Sequence, residues 1–171
     1  MPDAPLVFCY DGSPDATHGI ERASDLLAPR PALVLTVWEP APVLGPGLDG
    51  AAILVNDVEL DRAAAEAAGR TAEEGARVAR DAGLEAEAVA IKAAGPLWET
   101  IVEFADGQGA AAIVMGSRGL TGLRSMLLGS VSRGVVQHAN RPTMVIHPHG
   151  EDATSGRDTS VAELRPPERS S

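Results

Sequence analysis

Residues 110–119 read Ala110-Ala111-Ala112-Ile113-Val114-Met115-Gly116-Ser117-Arg118-Gly119, and residues 128–132 read Leu128-Gly129-Ser130-Val131-Ser132. Ala110 to Met115 is an apolar run of strand length, the pattern of a strand covered on both faces. It ends on Gly116, and a glycine-spaced loop then leads into a short helix expected over Val131 to Ala139. The skeleton is Gly, two residues, Gly, nine residues, Gly-Ser. A strand that runs through a glycine loop into a helix is the half-unit from which parallel α/β sheets are built.

The same alternation extends in both directions. Upstream, Leu6 to Tyr10 reads as a first strand. Ser13-Pro14-Asp15 reads as a helix start, with Ser as N-cap and Pro in the first turn. Ile20, Ala23 and Leu27 carry that helix's apolar stripe, and Pro29 and Pro31 stop it. Ala32 to Trp38 is a second, nearly all-apolar strand. Residues 39–56 are rich in Pro and Gly and read as a long loop. Asp57 can cap a helix that runs to about Ala82, with Glu66/Arg70 and Glu73/Arg77 as i,i+4 pairs and Gly83 as its stop. Glu85 to Lys92 alternates polar and apolar residues, as a half-exposed edge strand does. Gly95-Pro96 opens a third helix, on which Leu97, Ile101 and Ala105 share a face. Pro142 to His147 is the last strand. The order β-α-β-α-β-α-β-α-β predicts an α/β fold with a mainly parallel sheet.

Composition limits the function. The chain has 171 residues, enough for one domain with a sizeable core. Its 24 acidic against 14 basic residues give a net charge of −10, which argues against nucleic acid and against anionic membrane as partners. Aromatics make up 3%, so the core must be aliphatic. No apolar run approaches a bilayer span. The N-terminus does not read as a signal peptide, and a single cysteine fits a reducing cytoplasm. Residues 149–171 hold five acidic and three basic residues with few apolar ones, and read as a disordered tail beyond a domain at 1–148.

The glycine loop points to phosphate chemistry. Glycine lets the backbone approach a ligand closely, and successive N–H groups can form an anion nest. The helix start after Gly129 adds free N–H donors and a partial positive charge. Ser130 and Ser132 offer hydroxyls, and Arg118 offers a formal charge; Arg124 and Arg133 lie near it in sequence. The plainer reading is that the glycines only make turns, but three at this spacing between a strand and a helix favour a ligand. No Lys follows the last glycine, so this is not a P-loop. The dinucleotide fingerprint, with closer glycines after the first strand, is also absent. Asp11, at the end of the first strand, either meets the ligand or caps the turn. Cys9 reads as a buried small residue rather than a nucleophile. Trp38 either shields a ligand or covers core, the second being favoured, and Trp98 reads as packing. The four histidines show no metal-site spacing, and His147 and His149 are expected in solvent.

The stretches Ile113 to Gly119, Gly129 to Ser132 and Arg141-Pro142-Thr143-Met144-Val145-Ile146, with the opening Val7 to Ser13 and the strand end Leu35-Thr36-Val37, resemble the universal stress protein family over about residues 5–148. The glycine spacing resembles the ATP-binding branch. This resemblance implies a five-stranded parallel sheet in the order 3-2-1-4-5 with helices on both faces, and a homodimer. It implies ATP, with Mg or Mn as an accompanying metal, in a nucleotide-dependent stress-survival protein with slow or no hydrolysis. Asp11 would lie near ribose and metal, and Val37 would meet adenine through its backbone. Met115 and Gly116 would line the nucleoside, while Arg118, Gly119, Gly129, Ser130, Val131 and Ser132 would hold ribose and phosphates. Cys9 matches a position that borders the base. The alternative is a nucleotide-using enzyme, for adenylyl or phosphoryl transfer. Against it, the sequence suggests no Ser-His-Asp or Cys-His set and no group to orient water.

Overall fold

The computed structural model describes residues 4–27, 30–39, 43–46, 52–55, 58–117, 119 and 128–147. The expected tail at 149–171, the expected cap Asp57, the expected helix stop Pro29, and Arg118 lie outside the described residues. The elements in chain order are β1 (Leu6–Cys9), α1 (Pro14–Leu26), β2 (Pro31–Trp38), β3 (Val43–Pro46), β4 (Ala52–Val55), α2 (Val58–Asp81), β5 (Glu85–Lys92), α3 (Leu97–Gly107), β6 (Ala112–Gly116), α4 (Ser130–His138) and β7 (Thr143–Ile146).

Five strands form one parallel sheet in the order β5-β2-β1-β6-β7. In the sequence reading these are the third, second, first, fourth and fifth strands, so the expected order 3-2-1-4-5 is the observed one. The departure is at 39–56. Val43–Pro46 and Ala52–Val55 pair antiparallel as a separate two-stranded ribbon. The Pro and Gly content hid two short β-forming runs, Val43-Leu44 and Ile53-Leu54-Val55.

Side-chain alternation along the strands splits the core in two. Leu6, Phe8, Ala32, Val34 and Val114 point to the face covered by Ala16, Ile20 and Ala23 of α1 and by Ala76 and Ala79 of α2. Val7, Leu35, Ile113 and Met115 point to the opposite face, against Ile101 and Ala105 of α3 and Val135 of α4. Both faces of the sheet are therefore buried, which is why its inner strands read as unbroken apolar runs.

Small residues set how close the helices come. The buried residues of α2 are Ala68, Ala72, Gly75, Ala76 and Ala79. A Cβ on Gly75 would stand 2.6 Å from the Tyr10 ring. A Cβ on Gly116 would stand 2.9 Å from the Asp15 carbonyl, so the end of β6 runs directly beneath the start of α1. On the other face, Trp98 stacks on His138 with ring centroids 4.2 Å apart. It also fills the notch left by Gly134, where a Cβ would meet it at 2.4 Å.

The helix ends follow the sequence signals. Ser13 Oγ accepts from the Ala16 N–H at 3.2 Å, and Pro14 occupies the first turn. Gly83 ends α2 with φ +87°, and the Leu84 N–H donates to the Ala79 carbonyl at 3.0 Å, closing a Schellman-type turn. The expected i,i+4 pairs on α2 are replaced. Glu66 pairs with Arg62, and Glu73 pairs with Arg80, whose Nε also donates to the Ala86 carbonyl. Contact with the start of β5 decides the second choice, not helical spacing.

No helix among the described residues is long and apolar enough to cross a membrane.

Candidate functional site

A cavity of about 410 Å³ opens at the C-terminal edge of the sheet, over the ends of β1, β2 and β6. Chain order reverses between β1 and β6, since β2 lies on one side of β1 and β6 on the other. Such a switch point is where open α/β sheets leave a crevice for ligands.

Nine of the ten residues expected at a site line this one cavity: Asp11, Val37, Met115, Gly116, Gly119, Gly129, Ser130, Val131 and Ser132. The tenth, Arg118, lies outside the described residues. Cys9 and Tyr10 line it as well. Sequence reading missed the contributions of Tyr10, Ala16, Leu35, Leu97 and Ile101. Leu97 and Ile101 had been recognised only as a shared helix face. That face starts at the first residue of α3, where a stripe buried on the sheet runs out past the strand ends.

The lining divides by chemistry. Leu35, Val37, Leu97, Ile101 and Met115 give an apolar wall. The register exposes backbone beside it. β1 pairs with β2 through Cys9↔Leu35, and the Tyr10 N–H donates to the Leu35 carbonyl at 2.9 Å. By the two-residue period of a strand, the N–H and C=O of Val37 face the same edge, beyond the end of β1. The neighbouring Thr36 Oγ1 donates to the Tyr10 carbonyl at 2.8 Å and fixes how the chain leaves the sheet.

The polar part is built from Asp11 and the start of α4. Asp11 Oδ1 accepts from the Ser13 N–H at 3.0 Å, so the carboxylate does cap the turn into α1. Gly12 in that turn has φ +81°, a conformation that favours glycine. The second oxygen, Oδ2, lies where a Cβ on Gly119 would stand, 2.5 Å away. One oxygen thus serves the turn, and the other faces the glycine loop.

Gly129 is the N-cap of α4 and gives no side-chain cap. Its φ of −65° is open to any residue. Its own N–H donates to the Ser117 carbonyl at 2.8 Å, and its carbonyl accepts from Arg133 N–H at 3.0 Å. The N–H groups of Ser130, Val131 and Ser132 are the first-turn donors that helix geometry leaves without an intrahelical acceptor. All three residues line the cavity. Ser130 is exposed at its mouth. Ser132 is buried, and its Oγ lies 3.2 Å from the Gly116 carbonyl and 3.3 Å from that of Ser117. The Ser132 hydroxyl proton is therefore spent on holding the end of β6 to α4, which leaves its backbone N–H as its donor towards the cavity.

Three other expectations are located. Burial first, and the neighbouring Asp11 charge second, push the Cys9 thiol up to about 12, which makes it a poor nucleophile at neutral pH. Trp38 does not line the cavity; it sits beneath Lys92, whose Nζ is 5.4 Å from the ring centroid and pairs with Asp61. His147 is exposed. No group of three or more His, Cys, Asp or Glu that could hold a metal occurs among the described residues.

The architecture and cavity define an open, doubly wound α/β protein with a ligand-sized crevice at its switch point. The sequence matches the universal stress protein family over residues 4–147. The chain belongs to that family.

It is 44% identical over 48 residues to the universal stress protein MJ0577 of Methanocaldococcus jannaschii, a match covering 28% of this chain and 30% of that protein. Its matches to the curated relatives span less than half of their lengths. In three dimensions it resembles the solved structure of hypothetical protein MJ0577, with a TM-score of 0.68 at 23% identity, covering 88% of this chain and 99% of that one. It also resembles the universal stress protein of Archaeoglobus fulgidus in complex with dAMP, with a TM-score of 0.55 at 25% identity, covering 85% and 99%.

Proposed function

We propose that this chain binds ATP in the switch-point cavity and acts as a nucleotide-dependent regulatory protein of the ATP-binding branch. One observation carries the reading. The apolar wall and the free N–H groups at the start of α4 face the same cavity, as a molecule that is flat and apolar at one end and anionic at the other requires. Adenine fits against Val37, whose unpaired backbone edge supplies one donor and one acceptor. The ribose falls between Asp11 and Gly119. The phosphates reach Ser130, Val131 and Ser132, where the helix start favours negative charge. The dAMP complex of the Archaeoglobus fulgidus relative supports an adenine nucleotide as the ligand class.

A metal would arrive with the nucleotide. The described part of the cavity offers one carboxylate, Asp11, and Mg is commonly held by one or two carboxylates together with phosphates and water. When bound, such an ion would neutralise phosphate charge beside Asp11. We read the protein as a cytoplasmic homodimer. β7 is a half-buried strand paired on one side only, and such an edge calls for cover.

Isothermal titration of the purified chain with ATP and adenosine tests the reading. ATP should bind more tightly and raise the melting temperature more, because occupancy stabilises the folded state. Equal affinities would remove phosphate from the site, and no heat with either would remove the nucleotide.

A further inference from the structure

Arg133 is a cation that the site described above leaves without a task. It is the fourth residue of α4, three positions after Ser130, and residues three apart share a helix face. Ser130 stands at the mouth of the cavity, so Arg133 lies one turn below it on the same side. Helical side chains lean towards the N-terminus. The Arg133 side chain follows that rule: its guanidinium reaches back to the Leu128 carbonyl at 3.5 Å. That brings a positive group back to the residue before Gly129, beside the start of α4.

The charge pattern narrows the choice: among the described cations Arg30, Arg70 and Arg133 have no carboxylate pair, and of these Arg133 is the one on the helix that starts at the cavity. In a chain of net charge −10, most described cations are tied to carboxylates: Arg22 to Asp25, Arg62 to Glu66, Arg77 to Asp81, Arg80 to Glu73, Lys92 to Asp61 and Arg141 to Asp106. Arg133 has no carboxylate partner among the described residues. Its one recorded side-chain contact is the long bond to Leu128, which a stronger acceptor can displace. An arginine fork matches phosphate oxygens better than a single carbonyl.

We infer that Arg133 grips the outermost phosphate of the bound nucleotide and so sets the preference for triphosphate over monophosphate. This rests on the nucleotide reading given above. The α-phosphate is met by the backbone donors at the helix start, which are the same for AMP and ATP. Arg133, standing further out, is reached by a longer phosphate chain.

The test is a titration ladder of adenosine, AMP, ADP and ATP on the full chain, on Arg133→Gln and on Arg133→Lys. Arg133→Gln should weaken ATP about five- to tenfold, the scale of an exposed charge-assisted contact. AMP should change less than about twofold and adenosine not at all. Arg133→Lys should recover part of the ATP affinity, and added salt should shrink the wild-type preference for ATP. The melting temperature of the unliganded variants should match the parent. If the parent shows the ladder and Arg133→Gln leaves it unchanged, or weakens AMP and ATP alike, the role of Arg133 is wrong while nucleotide binding stands. If the parent binds none of the four, both fall.

Discussion

Gly119 is packed against the carboxylate of Asp11: a Cβ on Gly119 would stand 2.5 Å from Oδ2. The other oxygen of Asp11 is held at 3.0 Å by the Ser13 N–H, so the carboxylate has little room to turn away. The contact joins the end of β1 to the loop after β6, across the switch point of the sheet. The glycine three positions after Gly116 therefore has a cause in packing alone, before any ligand is considered.

Gly119→Ala should push the Asp11 carboxylate off the cavity floor. ATP affinity should fall about tenfold, a loss of the size expected for one charged hydrogen bond. Thermal stability should fall by no more than about 1 kcal/mol, the worth of the turn cap that the same carboxylate makes to Ser13. Titration calorimetry beside a melting curve separates the two quantities. An alanine variant that binds like the parent would mean that Asp11 makes no contact with the ligand.

The two roles of Asp11 can be separated by two substitutions. Asp11→Asn keeps an oxygen that can accept from Ser13 N–H but removes the charge. It should keep the parent's stability and weaken ATP. Asp11→Ala removes both, and should in addition cost about 1 kcal/mol of stability by urea unfolding. Equal stability loss in both variants would contradict the turn-capping geometry.

The thiol of Cys9 gives a pH dependence. Its ordinary value of 9.0 is raised to about 12 by burial and then by Asp11. The unfolded chain therefore loses this proton first as pH rises. Above pH 9.0 the folded state binds more protons than the unfolded one, so this group's contribution to stability declines from there towards about 12. Denaturant midpoints measured from pH 8 upward should fall less steeply in Cys9→Ala than in the parent. At neutral pH the parent thiol should alkylate slowly, and more slowly still with ATP present, because Cys9 lines the cavity. Rapid modification unaffected by ATP would place the thiol elsewhere.

The closeness of α2 to the sheet depends on Gly75. A Cβ there would meet the Tyr10 ring at 2.6 Å and Val34 Cγ1 at 2.8 Å. Gly75→Ala gains helix propensity but overpacks the core, which typically costs about 1–3 kcal/mol. The expected fall in melting temperature is about 2–4 °C for each kcal/mol in a chain of this size. A melting temperature equal to the parent's would show that α2 can stand off the sheet without penalty.

The strands were legible because burial on both faces leaves an apolar run with no polar interruption. Leu33-Val34-Leu35 and Ile113-Val114-Met115 are of this kind. β5, covered on fewer sides, announced itself by alternation. The ribbon of β3 and β4 was not legible, since Gly45 and Pro46 carry the composition of a loop. Ion pairing on α2 was not legible either, since Arg80 found Glu73 and a β5 carbonyl together. In the site, the glycines and Asp11 were readable because their residue types are costly elsewhere. Leu97 and Ile101 were not, since an apolar stripe reads the same whether it ends in a core or in a cavity wall. The task of the Ser132 hydroxyl was also hidden, because sequence shows a hydroxyl at a helix start but not which acceptor lies nearest.

The start of α4 offers the sharpest test of phosphate binding. Its N-cap is Gly129, with φ −65°, ψ 164° and no side-chain cap. Any residue can adopt that conformation, and Asp is among the best N-caps because its carboxylate accepts from the N–H two or three residues on. Those N–H groups belong to Val131 and Ser132, the donors assigned to phosphate. Gly129→Asp should therefore raise the stability of the unliganded protein by a few tenths of a kcal/mol, with a favourable charge at the helix start adding about 0.3–1 kcal/mol. The same carboxylate would occupy the donors and repel the ligand, so ATP binding should be lost. Gly129→Asn, which caps without charge, should weaken ATP less. Ser130→Ala should be milder still, because it removes one exposed hydroxyl and leaves the backbone donors in place. A stability gain combined with lost binding is not what a purely structural glycine predicts. If Gly129→Asp melts higher by differential scanning calorimetry and still binds ATP as the parent does, the anion site lies away from the start of α4.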